Sequence, residues 1–266
     1  MQLLQTQFEW TRALVGLLVG FFVGLTGVGG GVILAPILIS LGIQPSVAVG
    51  TDLVYGTVTK LVGTTRNIAA KRVDWNWVWA LALGSVPAGL AGSYLIDWLR
   101  HTQPHAEPII KTALGAVLTF AAAVNIGSEV FLRGKKQTQL ADWTPRDAGT
   151  RTRVALAGAL IGFMVGLTSV GSGSLIALLL LFTARLDMAT LVGTDIAHAM
   201  LLVAAASLAH IDIGTVDYGL AINLMAGSIP GVLIGSRMVG ILPARAMKIG
   251  VCVLVLVAGV NMLLPK

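Results

Sequence analysis

The sequence predicts an all-α integral membrane protein, a duplicated helical bundle of two inverted repeats with short broken or re-entrant helices and about 8–10 membrane segments. Three observations lead there. Of 266 residues, 56% are hydrophobic and only 11% charged, whereas a soluble domain carries about 25% charged residues. Apolar stretches recur along the whole chain and run continuously, without the alternation of barrel strands, so the spans are helices. The third observation is internal repetition. Val23-Gly-Leu-Thr-Gly-Val-Gly-Gly-Gly31 returns as Val165-Gly-Leu-Thr-Ser-Val-Gly-Ser-Gly173. Gly50-Thr-Asp52 returns as Gly193-Thr-Asp195, Val73-Asp-Trp75 as Val216-Asp-Tyr218, and Gly84-Ser-Val-Pro87 as Gly227-Ser-Ile-Pro230. All four pairs share one offset to within a residue, and a repeat of half a chain is the size of a membrane bundle, not of a solenoid unit.

The first membrane repeat, residues 1–132, reads as helical pieces at 8–26, 32–41, 46–70, 75–99 and 108–132. The second, residues 153–266, reads as pieces at 153–168, 175–184, 188–210, 217–240 and 244–264. In each half the first piece ends on the glycine motif. The second piece is short: at 1.5 Å per residue it crosses roughly half of the ~30 Å apolar slab, which marks a half-helix or re-entrant arm. The third piece is long and carries Gly-Thr-Asp near its start. The fourth contains Pro87 or Pro230, each expected to kink it. Small residues recur every fourth position at Gly16, Gly20, Gly24 and Gly158, Gly162, Gly166, and again at Gly84, Ala88, Gly92 and Gly227, Gly231, Gly235. Such stripes let helix backbones approach closely in lipid, as internal packing or as the seam of a homodimer.

Charge sets the expected orientation. Residues 133–152 form a charged linker with Arg133, Lys135, Lys136 and Pro145, expected on the cytoplasmic side. The loop from Arg66 to Arg72 is basic too, while its counterpart from His210 to Asp217 has no Lys or Arg. Equivalent loops of opposite character argue for inversion, with Arg237, Arg245 and Lys248 cytoplasmic as well. Arg100 and Lys111 fall outside and count against it; a parallel duplication with four crossings per half is the alternative. The net charge of +6 sits mainly in loops, which orientation explains better than nucleic acid. Cys252 is the only cysteine and lies in an apolar run, so there is no disulfide or cysteine metal site. Residues 1–12 lack a basic n-region and a cleavage site and read as retained.

Glycines at 27–31 follow a membrane helix and not a strand, so they are no dinucleotide loop. They break the first helix and start a short one whose free N–H groups and positive dipole end point inward. The second half does the same and adds hydroxyl donors at Ser172 and Ser174. Gly29, Gly30 and Gly31 with Gly171, Ser172, Gly173 and Ser174 therefore make a candidate cradle for a small anion; the bland alternative is a tight turn. Lys60 lies six residues before Arg66 on the long third piece, about 9 Å deeper in the slab. It either attracts substrate or snorkels toward the basic loop. Its counterpart is Val203. Thr51 and Thr194 are further candidate substrate contacts, and Asp52 and Asp195 candidate carboxylates for a coupling ion, with His198 one turn beyond Asp195. Their structural alternative is to satisfy free N–H groups at a helix start. His210 is expected at the interface. No nucleophile–base pair or metal-ligand spacing stands out, which argues against an enzyme and against a cofactor.

Gly-Leu-Thr-Gly-Val-Gly-Gly-Gly followed by Pro36, the Val49-Gly-Thr-Asp52 and Val192-Gly-Thr-Asp195 repeats, and the Gly-Ser-Val/Ile-Pro fourth pieces resemble the TauE/SafE family. These are bacterial sulfite-exporter-like permeases, also described as taking organosulfur anions. The likeness runs over about residues 12–264, although the second glycine motif reads Ser169-Val-Gly-Ser-Gly-Ser174 instead of a plain glycine run. It implies a multi-pass secondary transporter of the bacterial inner membrane that exports sulfite or a small sulfonate. Two rivals stand beside it: a proton- or cation-linked carrier of another small solute, centred on Asp195 and His198, and a membrane assembly subunit without transport of its own.

Overall fold

The computed structural model describes residues 9–26, 31–131, 147–238 and 244–264. These residues form ten α-helices and no strand. In the first half they are α1 (Trp10–Thr26), α2 (Gly31–Ser40), α3 (Pro45–Ala69), α4 (Trp75–Thr102) and α5 (Ala106–Phe131). In the second half they are α6 (Ala148–Thr168), α7 (Ser174–Thr183), α8 (Met188–Asp212), α9 (Tyr218–Arg237) and α10 (Ala244–Leu263). Order and number match the expectation. Five of them, α4, α5, α6, α8 and α9, are long and apolar enough to cross a membrane. α3 is as long as α8 but carries Asp52, Lys60, Arg66 and several threonines, and so falls below that apolarity. Gly29, Gly30 and most of the expected linker at 133–152 lie outside the described residues.

Local chemistry explains where helices start. The side chains of Asp74, Asp187 and Asp217 accept hydrogen bonds from first-turn N–H groups of α4, α8 and α9. The start of α3 is held differently: Pro45 enters it, and Glu107 from α5 accepts from the Ser46 N–H at 3.0 Å and from the Ser46 hydroxyl. Asp52 thus lies beyond the first turn and caps nothing among the described residues, and its structural alternative at a helix start fails. α6 begins ahead of the expected residue 153, with Asp147 extended at its N-cap position, because Arg151 and Arg153 are tolerated on its exposed side. Pro87 and Pro230 both sit inside their helices.

The small-residue stripes face helices of the same chain. A Cβ on Gly158, Gly162 or Gly166 of α6 would lie 2.7, 2.2 or 2.0 Å from the carbonyl oxygens of Leu81, Ser85 and Gly89 in α4. Gly16 and Gly20 of α1 meet the carbonyls of Leu224 and Ser228 in α9 in the same way. Both series ascend together, so α6 runs parallel to α4 and α1 parallel to α9. Each first helix therefore packs on the fourth helix of the other half, and these stripes are spent inside the chain. The remaining pairs join equivalent helices. Gly56 of α3 approaches Val203 of α8 while Gly63 approaches Ile196, so α3 and α8 run antiparallel. Gly115 of α5 meets Met262 of α10, and Thr119 meets Gly259, which makes that pair antiparallel too. Around them closes the main apolar core, with Leu53, Ile110, Leu114, Leu118, Leu202 and Val255 among its buried side chains.

Replacing Gly162 with Leu forces α4 and α6 apart and is expected to cost roughly 1–3 kcal/mol or more. Gly127→Ala, where nothing lies within 4 Å, is expected to be neutral or slightly stabilising. Thermal unfolding of the purified proteins in detergent checks both, and equal midpoints would contradict the packing described.

Candidate functional site

The Gly-Thr-Asp motifs divide their work three ways. A Cβ on Gly50 would lie 2.3 Å from the carbonyl oxygen of Thr215, and one on Gly193 only 1.9 Å from that of Arg72. Glycine is what lets the loop after α8 reach the start of α3, and the loop after α3 reach the start of α8. Threonine then ties the loop down: Thr51 Oγ1 accepts from the Asp217 N–H at 3.1 Å, and Thr194 Oγ1 from the Asp74 N–H at 2.9 Å. The third residue faces the interior. Asp52 is 1% exposed and Asp195 7%. Neither oxygen of the Asp52 carboxylate has a hydrogen-bond partner, and Asp195 Oδ1 has none. The Ser169 hydroxyl lies beside Asp52 without reaching hydrogen-bonding geometry.

One turn beyond each aspartate sits a second matched pair. The Tyr55 hydroxyl meets the Ser228 hydroxyl of α9, and His198 Nε2 meets the Ser85 hydroxyl of α4 at 2.7 Å. Tyr55 and His198 are equivalent positions, as are Ser228 and Ser85. His198 Nδ1 has no partner, and no ion pair links the ring to Asp195 among the described residues. The two share a helix face without an ion pair between them among the described residues.

Lys60 is half-buried. Its Nζ lies 3.7 Å from where a Cβ on Gly56 would stand, so the chain folds back one turn toward the start of α3. That is away from Arg66, and the snorkelling alternative fails. Its charge is felt by Asp52 and Asp195 together, and it makes no ion pair among the described residues.

The break between α6 and α7 is inside the protein. Ser169 adopts a left-handed φ of 62° and Gly171 one of 99°, which turns the chain out of α6. Thr168 Oγ1 accepts from the Val170 N–H at 3.2 Å and steadies the turn. Gly173 stands at the N-cap of α7 with no side chain to cap it. Ser169 and Ser172 are buried, and the buried Ser174 hydroxyl has no partner. Gly31 opens α2, so the described part of the first break is that single residue. His210, expected at the interface, lies in the last turn of α8 and is walled in by protein. The ring is fully buried, with Nδ1 on the Thr215 hydroxyl at 2.7 Å and Nε2 on the Gly166 carbonyl at 3.2 Å, partners supplied by folding of the chain around it.

Cavities lie elsewhere among the described residues. One of about 310 Å³, between α1, α2 and α10, is lined by apolar residues including Phe22, Pro36 and Val255. Another, about 710 Å³, includes Ser40, Lys111 and Asn261. Among the described residues no three His, Cys, Asp or Glu side chains group to hold a metal ion. Sequence reasoning missed Ser85, Ser228 and Ser169 as neighbours of these groups. Ser85 and Ser228 stand inside the repeated Gly-Ser motif, and their repetition was the available signal.

A family model described as sulfite exporter TauE/SafE matches residues 12–262. The chain belongs to the TauE/SafE family. This TauE/SafE protein is 44% identical over 250 residues to "Probable membrane transporter protein YjnA" of Bacillus subtilis (strain 168), covering 94% of this chain and 98% of that one. It is 25% identical to "Probable membrane transporter protein YdhB" of the same organism over 94% of this chain and 98% of the other. With "Probable membrane transporter protein YunE", also of that organism, the identity is 26% over 84% and 85%. No solved structure matches the TauE/SafE chain. It is a multi-pass membrane transporter by family and by its apolar helices.

Thr51→Val and Thr194→Val each leave a loop N–H without its acceptor, at an expected cost of roughly 1–3 kcal/mol, whereas Thr→Ser at either position keeps the oxygen. Detergent unfolding midpoints distinguish the two, and a Val variant as stable as the wild type would show that the loops are held by something else.

Proposed function

We propose that this TauE/SafE protein is a secondary transporter that exports sulfite or a related small organosulfur anion across the bacterial inner membrane. The observation that carries the reading is Lys60. Its ammonium is turned back along α3 toward Gly56, and it makes no ion pair among the described residues. Such a group in oil needs a counter-charge, and a small anion supplies one. The uncapped start of α7, with Gly171, Ser172, Gly173 and Ser174, offers N–H and hydroxyl donors to the same interior, since Ser169 of that break adjoins Asp52. Gly29–Gly31 plays the matching part in the first half. Thr51 and Thr194 border the site as loop ties, and Asp52, Asp195 and His198 handle the coupling ion. The unpartnered oxygens of Asp52 and Asp195 also favour the rival of a cation-linked carrier for another solute.

The halves are inverted in this proposal. Antiparallel pairing of the equivalent helices α3 with α8 and α5 with α10 supports a two-fold axis in the membrane plane, as does the gathering of Arg66, Lys71, Arg72, Arg151, Arg153 and Arg185 at one end of the bundle. Alternating access then moves helix pairs mixed from both halves, because α1 packs on α9 and α4 on α6.

In liposomes, Lys60→Met is expected to lower transport of labelled sulfite about tenfold or more while the protein stays folded. Unchanged flux removes Lys60 from the site. A panel of sulfite, sulfate, thiosulfate, taurine and sulfoacetate identifies the substrate, and absence of flux for all five supports the assembly-subunit alternative. For topology, Ala69→Cys and Asp212→Cys occupy equivalent positions at the ends of α3 and α8. In a Cys252→Ser background an impermeant thiol reagent is expected to reach them from opposite sides; labelling from one side supports the parallel alternative.

A further inference from the structure

We infer that the groove bordered by α1, α2, α5 and α10 seats one anionic glycerophospholipid, with an acyl chain in the apolar cavity beside Phe22 and the phosphate on Lys111. The inference does not depend on what the protein transports.

The two cavities make one amphipathic shape. The smaller, about 310 Å³, lies between α1, α2 and α10 and is lined by side chains that carry no polar atom. Val19, Val32 and Val255 form a buried floor, whereas Leu18 and Leu254 at the rim are largely exposed. The slot therefore opens sideways, toward the hydrocarbon of the bilayer. Water finds no hydrogen-bond partner there, and a hydrocarbon chain needs none. The larger cavity, about 710 Å³, adjoins it at Pro36, Ile37 and Ala258, which line both. Polar groups enter only in this second part: Ser40 from the end of α2, Asn261 from the last turn of α10 and Lys111 from the second turn of α5. Because Gly115 of α5 packs on Met262 of α10, these groups stand together at one end of the bundle, the level of lipid headgroups.

Lys111 is half-buried, and it is the one charged residue lining the larger cavity. It has neither an ion pair nor a hydrogen bond among the described residues. Glu107, one turn earlier on α5, is taken by Ser46 and Arg100. One positive charge is thus left uncompensated at the mouth of an oily slot. A lipid with one net negative charge answers both features at once. A zwitterionic lipid brings a second cation beside Lys111, and a free oxyanion leaves the slot unfilled. The Ser40 hydroxyl donates to the Ile37 carbonyl at 2.7 Å, which keeps its lone pairs for a headgroup hydroxyl, and Asn261 offers amide donors.

The seat also gives a reason for a basic residue on the unfavoured side. Glu107 binds the start of α3, so Lys111 stands at the end of the bundle opposite Arg66. The inverted orientation leaves that end outside, against the charge rule. A phosphate held between membrane helices supplies what the rule does not.

Photolabelling of the full chain tests the seat. The protein is reconstituted in phosphatidylcholine vesicles with a trace of phosphatidylglycerol bearing a diazirine in its acyl chain, and labelled peptides are mapped by mass spectrometry. Label is expected to concentrate on residues 32–37 and 251–258, above the exposed Leu156 and Leu160 of α6. Unlabelled phosphatidylglycerol is expected to displace it about fivefold better than phosphatidylethanolamine. Lys111→Gln is expected to abolish that preference, and Ala258→Phe, at the junction of the cavities, to remove label from the slot. Label spread evenly over the slot and α6 overturns the inference, since the lipid is then only part of the surrounding bilayer. Displacement by inorganic phosphate as effective as by phosphatidylglycerol overturns it in favour of a free-anion site. A headgroup preference unchanged in Lys111→Gln overturns it as well. If Ala258→Phe does not fold, the wild-type map and the lysine variant decide.

Discussion

The close antiparallel approach of α3 and α8 is the constraint on which the rest of this structure depends. Among the described residues the buried side chains Asp52, Tyr55, Asp195, His198 and His210 all stand on these two helices, and α3 also carries Lys60. Placing such groups against lipid is costly, so the other helices are arranged to wall them off. α9 and α4 supply the serines that meet Tyr55 and His198, α6 supplies the carbonyl for His210, and α5 and α10 close the apolar core outside. Glycine on α3 and α8 allows the approach and threonine holds it.

Much of this architecture was legible in the chain. A repeated sequence with apolar runs sets helix number and order, and glycine motifs mark where helices stop, because both are local properties of the backbone and of hydrophobicity. The small-residue stripes likewise announced close packing, though not which helix each would meet. What stayed hidden depends on partners far away in sequence. Thr51 looks like a helix cap until Asp217 is placed beside it. Lys60 reads as a snorkelling side chain until its stem is seen to turn back toward Gly56. His210 reads as interfacial by position, and nothing in the sequence announces that the carbonyl of Gly166 and the hydroxyl of Thr215 enclose it. The start of α6 was missed because a charged stretch resembles a linker whether or not it is helical.

The two halves share a framework but not a chemistry. Lys60 opposes Val203, Tyr55 opposes His198, and Ser169 stands where the first half has Gly27. Of these, Tyr55, Ser169, His198 and Val203 are buried in the described structure, whereas the loop ties and the helix-packing glycines are kept in both halves. Duplication supplies a pair of similar frameworks, and divergence at a few positions makes the two halves chemically unequal where a perfect copy would not be.

The loop ties cross from one half to the other: Thr51 holds residue 217, and Thr194 holds residue 74. During synthesis the amino-terminal half reaches the bilayer while the segment it must grip has not yet left the ribosome. Until then the carbonyl of Thr215 that Gly50 meets, and the N–H of Asp217 that Thr51 accepts from, have not been made. The first half is a waiting partner, and maturation of the protein is a late event, gated by arrival of the last third of the chain.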